Sequence, residues 1–391
     1  MRDDSRPITG VLVKPAGADC NLRCRYCFYL KKKDLYPGGR RRMSRGVLEA
    51  LIRRTMDGGA AVVSFCWQGG EPSLMKQRFF EDVVSRQRRF ARPGQVAVNS
   101  LQTNGLLLDD AFCGFLARER FLVGISIDGP RDLHDRYRRT PGDRPSFDRV
   151  AAAVRALLRH GVDTNALVMV TDRTVGRVGE VWSSLRAMGL RHLQLIPCLE
   201  LDPSDPSRLA GHSVRPDEYG DVLCELFDLW VADFSGGAPA TFVRWFEALL
   251  FGYVDLPVPL CELCPVCGAE VVVEHNGDVY SCDFFVTPEH LLGNVLRDDL
   301  RTLLANEAQR SFGARKARLG EPCTSCPWIR RCHGGCPKDR DRDLGDHGRT
   351  AFCGAYRRFF EHADGTLRRL ADDWRRRSPP PPRPGGREVT P

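Results

Sequence analysis

Sixteen cysteines constrain what this chain can fold into more than any other feature, because all but four of them fall into three short groups. Cys20, Cys24 and Cys27 crowd the start. Cys261, Cys264, Cys267 and Cys282 form a second group, and Cys323, Cys326, Cys332, Cys336 and Cys353 a third. Cys66, Cys113, Cys198 and Cys224 are scattered and read as small buried apolar residues. The opening segment MRDDSRPITG carries acidic residues and no apolar stretch, so it does not read as a secretory signal. No apolar run approaches the ~18 residues that a membrane helix needs. The chain therefore reads as cytoplasmic, where clustered cysteines bind metal more often than they pair as disulfides.

The 391 residues, 42% of them hydrophobic, suffice for one large domain and a smaller one. Short apolar runs read as buried parallel strands: GVLVKP at 10–15, AVVSFCW at 61–67, VAVNSLQ at 96–102, LVGISID at 122–128, NALVMVT at 165–171 and LQLIPC at 193–198. Amphipathic helical patterns separate them at 44–57, 76–91, 109–119, 146–160 and 175–188, with Ser44, Asp109 and Ser146 as N-caps. Such alternation predicts an α/β fold, a partial (β/α)6 TIM-like barrel of parallel strands with a C-terminal cysteine-rich domain. The site is then expected at the C-terminal ends of the strands. The expected order is an N-terminal extension (1–8), the barrel (9–235), a linker (236–260), the cysteine-rich domain (261–360), and a C-terminal helix end with a disordered Pro- and Arg-rich tail (361–391). Helical stretches are expected at 216–234 and 241–251, and a hairpin in EVVVEHNGDVYSC with Asn-Gly at its turn. The net charge of +8 comes largely from arginines mixed with acids, as in LRDDLRTLLANEAQR. It reads as solvated surface, so neither nucleic acid nor membrane is expected as a partner.

The segment CNLRCRYC sets Cys20, Cys24 and Cys27 in a CxxxCxxC spacing. Three thiolates in one tight loop hold three irons of a [4Fe–4S] cubane and leave the fourth iron open to an outside ligand. The spacing alone also fits part of a zinc knuckle. Placed after the first strand, with Tyr26 before the last cysteine, the motif resembles the radical S-adenosylmethionine superfamily. That resemblance implies that the cofactor's amino and carboxylate groups chelate the open iron, and that its cleavage yields a 5′-deoxyadenosyl radical. By the same resemblance Gly69, Gly70 and Glu71 of WQGGEP face the cofactor's methionine amino group. Glycines suit close backbone approach, and a carboxylate can accept from an ammonium. Ser126 of SIDG is implied at the cofactor carboxylate, and Tyr26 and Gln68 also stand near the cofactor. QTNG (102–105) closes the third strand, and His134, Asp135 and Arg136 follow the fourth without an assigned role.

The later cysteines, in CELCPVC, GDVYSCDFF, CTSCPWIRRCHGGCPKDR and FCGAY, resemble the SPASM domain, which holds two auxiliary [4Fe–4S] clusters. Carried over, Cys261, Cys267, Cys282 and Cys336 ligate the nearer cluster, and Cys323, Cys326, Cys332 and Cys353 the farther one. Spacing alone leaves structural zinc open. Cys264 departs from the pattern: it either exchanges with Cys261 or stays free.

Across roughly residues 9 to 360 the chain is similar to anaerobic sulfatase-maturating enzymes, on VKPAGADCNLRCRYCFYL, WQGGEPSLM, SIDGP with HDRYR, FDLW at 227–230 and VYSCDFFV. The implied reaction oxidises a cysteine or serine of a sulfatase, in a Cys/Ser-x-Pro-x-Arg context, to formylglycine. Asp283, beside Cys282, is the implied catalytic base, with Tyr29 and Gln68 as substrate contacts. The implied cofactors are three [4Fe–4S] clusters and S-adenosylmethionine. The implied partners are a sulfatase polypeptide and a low-potential electron donor. The alternative is a radical maturase of a ribosomally made precursor peptide, forming thioether, carbon–carbon or ether crosslinks. An electron carrier is disfavoured because it would close its fourth iron.

Overall fold

The structure, a computed structural model, describes residues 7–342 and 349–377. Strand β1 (Ile8–Lys14) begins it. Then come α1 (Arg45–Asp57), β2 (Gly59–Trp67), α2 (Gln77–Phe90), β3 (Val96–Thr103), α3 (Asp110–Arg118), β4 (Leu122–Ser126), α4 (Arg131–Tyr137), α5 (Phe147–Arg159), β5 (Thr164–Val170), α6 (Val178–Ala187) and β6 (His192–Pro197). The six strands lie side by side in chain order, all parallel. Right-handed crossovers between sequential parallel strands put every helix on one face, and the other face curls inward as a partial barrel.

Burial follows that geometry. Val13, Phe65, Trp67, Leu101, Ile125 and Val168 point into the helix layer and are sealed. On the opposite face Val62 is 55% exposed and Val96 52%, with Val98 and Leu122 also open. The strands are thus not buried on both faces, as their apolar runs suggested. An unclosed barrel keeps its inner face accessible.

Two helix starts match the expected caps: the Ser44 hydroxyl accepts from Val47 N–H and the Asp109 carboxylate from Phe112 N–H. The third does not. Asp135 accepts from the N–H groups of Ser146 and Phe147, while the Ser146 hydroxyl donates to the Arg138 carbonyl at 2.7 Å. A carboxylate from the preceding helix out-competes the local serine there.

The cysteine-rich region is continuous with the barrel. Its hairpin, Val271–Glu274 and Asp278–Tyr280, joins the main sheet, with Val271–Glu274 parallel to β1, and Leu291–Asn294 follows. At the other edge Phe242–Val243 pairs with β6, so the span read as a linker adds a short strand and then helix α8 (Arg244–Tyr253), which comes after α7 (Pro216–Ala232). Among the described residues the sheet has ten strands. The chain ends its described part in a 25-residue helix, Cys353–Arg377, packed on α7. Residues 1–6 of the expected extension and 378–391 of the expected tail lie outside the described residues. Among those described, no helix is long and apolar enough to cross a membrane.

The seam between barrel and C-terminal region is aromatic. Phe359 stacks on Phe246 at 5.6 Å and meets Phe227 edge-on at 5.5 Å, all three sealed from solvent. Phe359→Ala is expected to cost roughly 3–5 kcal/mol, read as a lower midpoint in anaerobic guanidinium titrations of the loaded protein. An unchanged midpoint would show that the seam contributes little.

Candidate functional site

The mouth of the barrel is built by the loops that follow β1 to β4. After β1 the chain turns through Cys20, Cys24 and Cys27. The Leu22 N–H donates to Cys20 Sγ at 3.3 Å, and Cys27 N–H donates to the Cys24 carbonyl at 3.0 Å. The loop after β2 lies directly against it: Gly70 N–H donates to the Gly17 carbonyl at 2.7 Å, and Glu71 N–H to the Asp19 carbonyl at 2.8 Å. A Cβ on Gly70 would stand 2.1 Å from the Asp19 carbonyl oxygen, so only glycine fits. Gly69 has φ +130, a backbone that side chains rarely adopt. The close approach inferred for these glycines is made to the backbone of the cysteine loop.

Glu71 is buried, and its carboxylate accepts from Ser73 N–H, the Thr103 hydroxyl and Asn104 N–H at 2.7–2.9 Å. Asn104 in turn donates to Asn21 at 2.8 Å. The three thiols sit in one electrostatic neighbourhood. Burial pushes Cys20 up to about 12, with Glu71, Cys24 and Cys27 adding to the rise. Burial likewise pushes Cys24 up to about 12 and raises Cys27. Three half-buried thiols gathered in one loop are a donor set that fits an iron–sulfur cluster.

Tyr26 is held by residues that sequence reasoning did not single out. Its hydroxyl donates to Asp128 at 2.6 Å, and Arg138 grips the same carboxylate through Nε at 2.9 Å and Nη2 at 3.1 Å. Met169 N–H completes the set at 3.0 Å. Asp128 is the third residue of SIDG. Its side chain braces the loop, whereas Ser126 faces Gln102, whose amide donates to the serine oxygen at 3.1 Å. His134 accepts from Asp128 N–H at 3.4 Å and shares a 3.0 Å hydrogen bond with Ser146, so the His-Asp pair after β4 ties this loop to α5.

Asp283 lies across the mouth, carried there by the turn after Asp278–Tyr280. It pairs with Lys14 and accepts from the Gln68 amide at 3.4 Å. Lys14, 1% exposed, ends β1 and also stands 4.1 Å from the Tyr29 ring centroid. The Tyr29 hydroxyl donates to Glu274, the strand partner of Lys14. Asp283, Gln68 and Tyr29, named from sequence, are therefore brought together, and Lys14 is the member that was missed. Its signal was a lone lysine ending an apolar strand.

Several of the later cysteines lie close to one another. Burial pushes Cys282 up to about 12, with Cys261 and Cys267 among its neighbours, and Cys336 feels Cys282. Cys264 Sγ instead donates to the carbonyls of Val258 at 3.5 Å and Leu260 at 3.3 Å. A pocket is lined by Cys323, Cys326, Cys332 and Cys353, under Trp328 and Phe360. Among the described residues no three Cys, His, Asp or Glu side chains close to the spacing of a single metal ion.

Two family models match the chain: the radical SAM superfamily over residues 15–188 and an iron–sulfur cluster-binding domain over residues 264–327. The chain is 35% identical to a serine-type anaerobic sulfatase-maturating enzyme of Bacteroides thetaiotaomicron, covering 90% of this chain and 88% of that protein. It is 33% identical to a cysteine-type anaerobic sulfatase-maturating enzyme of Clostridium perfringens, covering 94% and 99%. Among solved structures, native anSMEcpe with bound AdoMet and Cp18Cys peptide superposes with a TM-score of 0.86 at 33% identity, covering 94% of this chain and all of that one.

Burial holds the His134 imidazole down to about 4, against the pull of Asp128. The unfolded chain binds that proton near pH 6.5, so stability falls as pH drops from about 6.5 to about 4, by up to about 3 kcal/mol. His134→Gln is expected to flatten this part of the stability profile, measured by chemical unfolding at successive pH values. Equal slopes in both proteins would remove His134 as the source.

Proposed function

Because this chain belongs to the anaerobic sulfatase-maturating enzymes of the radical S-adenosylmethionine superfamily, we propose that it oxidises a cysteine or serine of a sulfatase polypeptide to formylglycine. The observation that carries this reading is Asp283, a carboxylate gripped by Lys14 and Gln68 near Tyr29 and next in sequence to Cys282. When bound, S-adenosylmethionine and the clusters supply a radical that takes hydrogen from the substrate β-carbon, and acceptors for the electron released. Cys20, Cys24 and Cys27 would hold the first cluster, Cys261, Cys267, Cys282 and Cys336 the second, and Cys323, Cys326, Cys332 and Cys353 the third.

The protein's own groups divide the remaining work. Gly69 and Gly70 offer backbone to the cofactor, and Glu71 holds that backbone in place through its own hydrogen bonds. Tyr26 covers the cofactor, fixed by Asp128, and Ser126 faces the cofactor carboxylate. Asp283 takes the thiol or hydroxyl proton of the substrate, and Lys14 and Gln68 aim its oxygens; serine then gives the aldehyde directly, and cysteine gives a thioaldehyde that water hydrolyses with release of sulfide. Tyr29 lines the substrate side. The enzyme works in the cytoplasm with a low-potential electron donor, and neither nucleic acid nor membrane takes part.

Asn at 283 keeps the shape but cannot accept a proton. Asp283→Asn should still cleave S-adenosylmethionine and load its clusters, yet lose about 10²–10⁴-fold in formylglycine formation, read by mass spectrometry on a Cys-x-Pro-x-Arg peptide. Near-normal product would exclude Asp283 as the base. A wild type that modifies neither cysteine nor serine peptide would overturn the proposed reaction.

Iron content tests the ligand sets. Three four-iron clusters give about twelve irons per chain, and replacing Cys20, Cys24 and Cys27 together by Ala should leave about eight. Cys264→Ser should keep the full complement, since its thiol is turned to the carbonyls of Val258 and Leu260. Loss of one cluster's iron from that variant would exchange Cys264 for another member of CELCPVC.

A further inference from the structure

Of the basic side chains among the later cysteines, Lys316 and Arg340 are held by main-chain carbonyls, and the reaction outlined above uses neither. Lys316 is fully buried. Its Nζ donates to the carbonyls of Cys261, at 2.5 Å, Glu262, at 2.8 Å, and Cys264. Three acceptors for three donors is the pattern of an ammonium ion. Burial lowers its pKa, and the neighbouring thiols of Cys261, Cys267, Cys336 and Cys264 oppose that fall. The first three belong to the set assigned to the nearer cluster.

Arg340 sits one short helix beyond Cys336. Its Nε donates to the Gly334 carbonyl at 2.9 Å, and its Nη2 to the carbonyls of Lys316 at 2.8 Å and His333 at 3.2 Å. The guanidinium thus clasps the His333-Gly334 turn, which joins Cys332 of the farther set to Cys336 of the nearer, and it clasps the backbone of Lys316. Burial lowers its pKa, opposed by Cys323 and Cys332 of one set and Cys336 and Cys267 of the other. Lys338, close by, is different: it pairs with Asp339 at 3.0 Å, and its charge is balanced locally.

A four-thiolate iron–sulfur cluster is anionic and becomes more so on reduction. A fixed cation nearby in a poorly solvated site therefore favours the reduced form. We propose that Lys316 and Arg340 set the reduction potentials of the two auxiliary clusters, Lys316 that of the nearer one alone and Arg340 those of both. This rests on the ligand sets given above. The two residues share one hydrogen-bonded span, so the protein sets the difference between the clusters with one charge and their common level with the other. They are positioning residues that act through the clusters.

The test is voltammetry and EPR-monitored redox titration of full-length protein reconstituted anaerobically, on the Cys20/Cys24/Cys27→Ala background so that only the auxiliary clusters report. Lys316→Met should move one wave to more negative potential and leave the other in place. Arg340→Gln should move both in the same direction. Lys316→Arg and Arg340→Lys, which keep the charge, should hold wild-type potentials. If Lys316→Met loads iron poorly, Lys316→Gln keeps donors for the carbonyls and answers the same question. Unmoved waves in neutral variants with full iron would overturn the proposal. So would charge-keeping variants that shift as far as the neutral ones. Absence of two waves in the parent protein would instead overturn the cluster assignment on which the proposal rests.

Discussion

Glu71 has no solvent to return to. Its two oxygens are engaged by Ser73, Thr103 and Asn104, and Asn104 reaches on to Asn21 in the cysteine loop. A buried carboxylate persists only when its hydrogen bonds are complete, and breaking such a set typically costs several kcal/mol. Here the bonds run between three different loops, so the charge that must be satisfied also fixes how the ends of β1, β2 and β3 stand relative to one another. The contact of Gly70 with the Asp19 backbone is possible only in that arrangement. The relative placement of the three-cysteine loop and of the Gly69-Gly70 backbone follows from one carboxylate.

The opposite side of the mouth is organised by a second buried charge. Lys14 ends a strand between β2 and Val271–Glu274, which brings it to Asp283, Tyr29 and the register position of Glu274 at once. A lysine sealed in this way needs its counter-charge. The C-terminal region supplies it by placing Asp283 on the turn that leaves the hairpin. Sheet pairing and ion pairing thus reinforce each other, and the carboxylate is held by groups that do not depend on a bound ligand.

What could be read from the sequence was what repeats or clusters. The six strands were legible because each keeps a run of apolar residues for the helix layer, and their ends fell within a few residues of β1 to β6. The cysteine groups were legible because their members stand close together in sequence. Asp283, Gln68 and Tyr29 entered through resemblance, and the structure brings them into one mouth. Lys14 was not legible, because its partner, Asp283, lies in the cysteine-rich region far along the chain. Asp128 was hidden behind Ser126 in the same motif, and Ser146 looked like a cap because nothing local reveals that Asp135 reaches its N–H first. In each case the missing information was a side-chain contact, which neither spacing nor periodicity contains.

The pairing of Val271–Glu274 with β1 has a further consequence for how such a protein can be altered. β1 is an interior strand only because the cysteine-rich region covers one of its sides. Excised from that region, the barrel would present β1 as a bare edge, with unpaired N–H and C=O groups in an apolar ribbon, the kind of surface that recruits other strands and aggregates. The two parts are therefore poor candidates for modular exchange. A graft of a foreign cluster-binding region would have to bring its own matching hairpin, in register, before any question of chemistry arose.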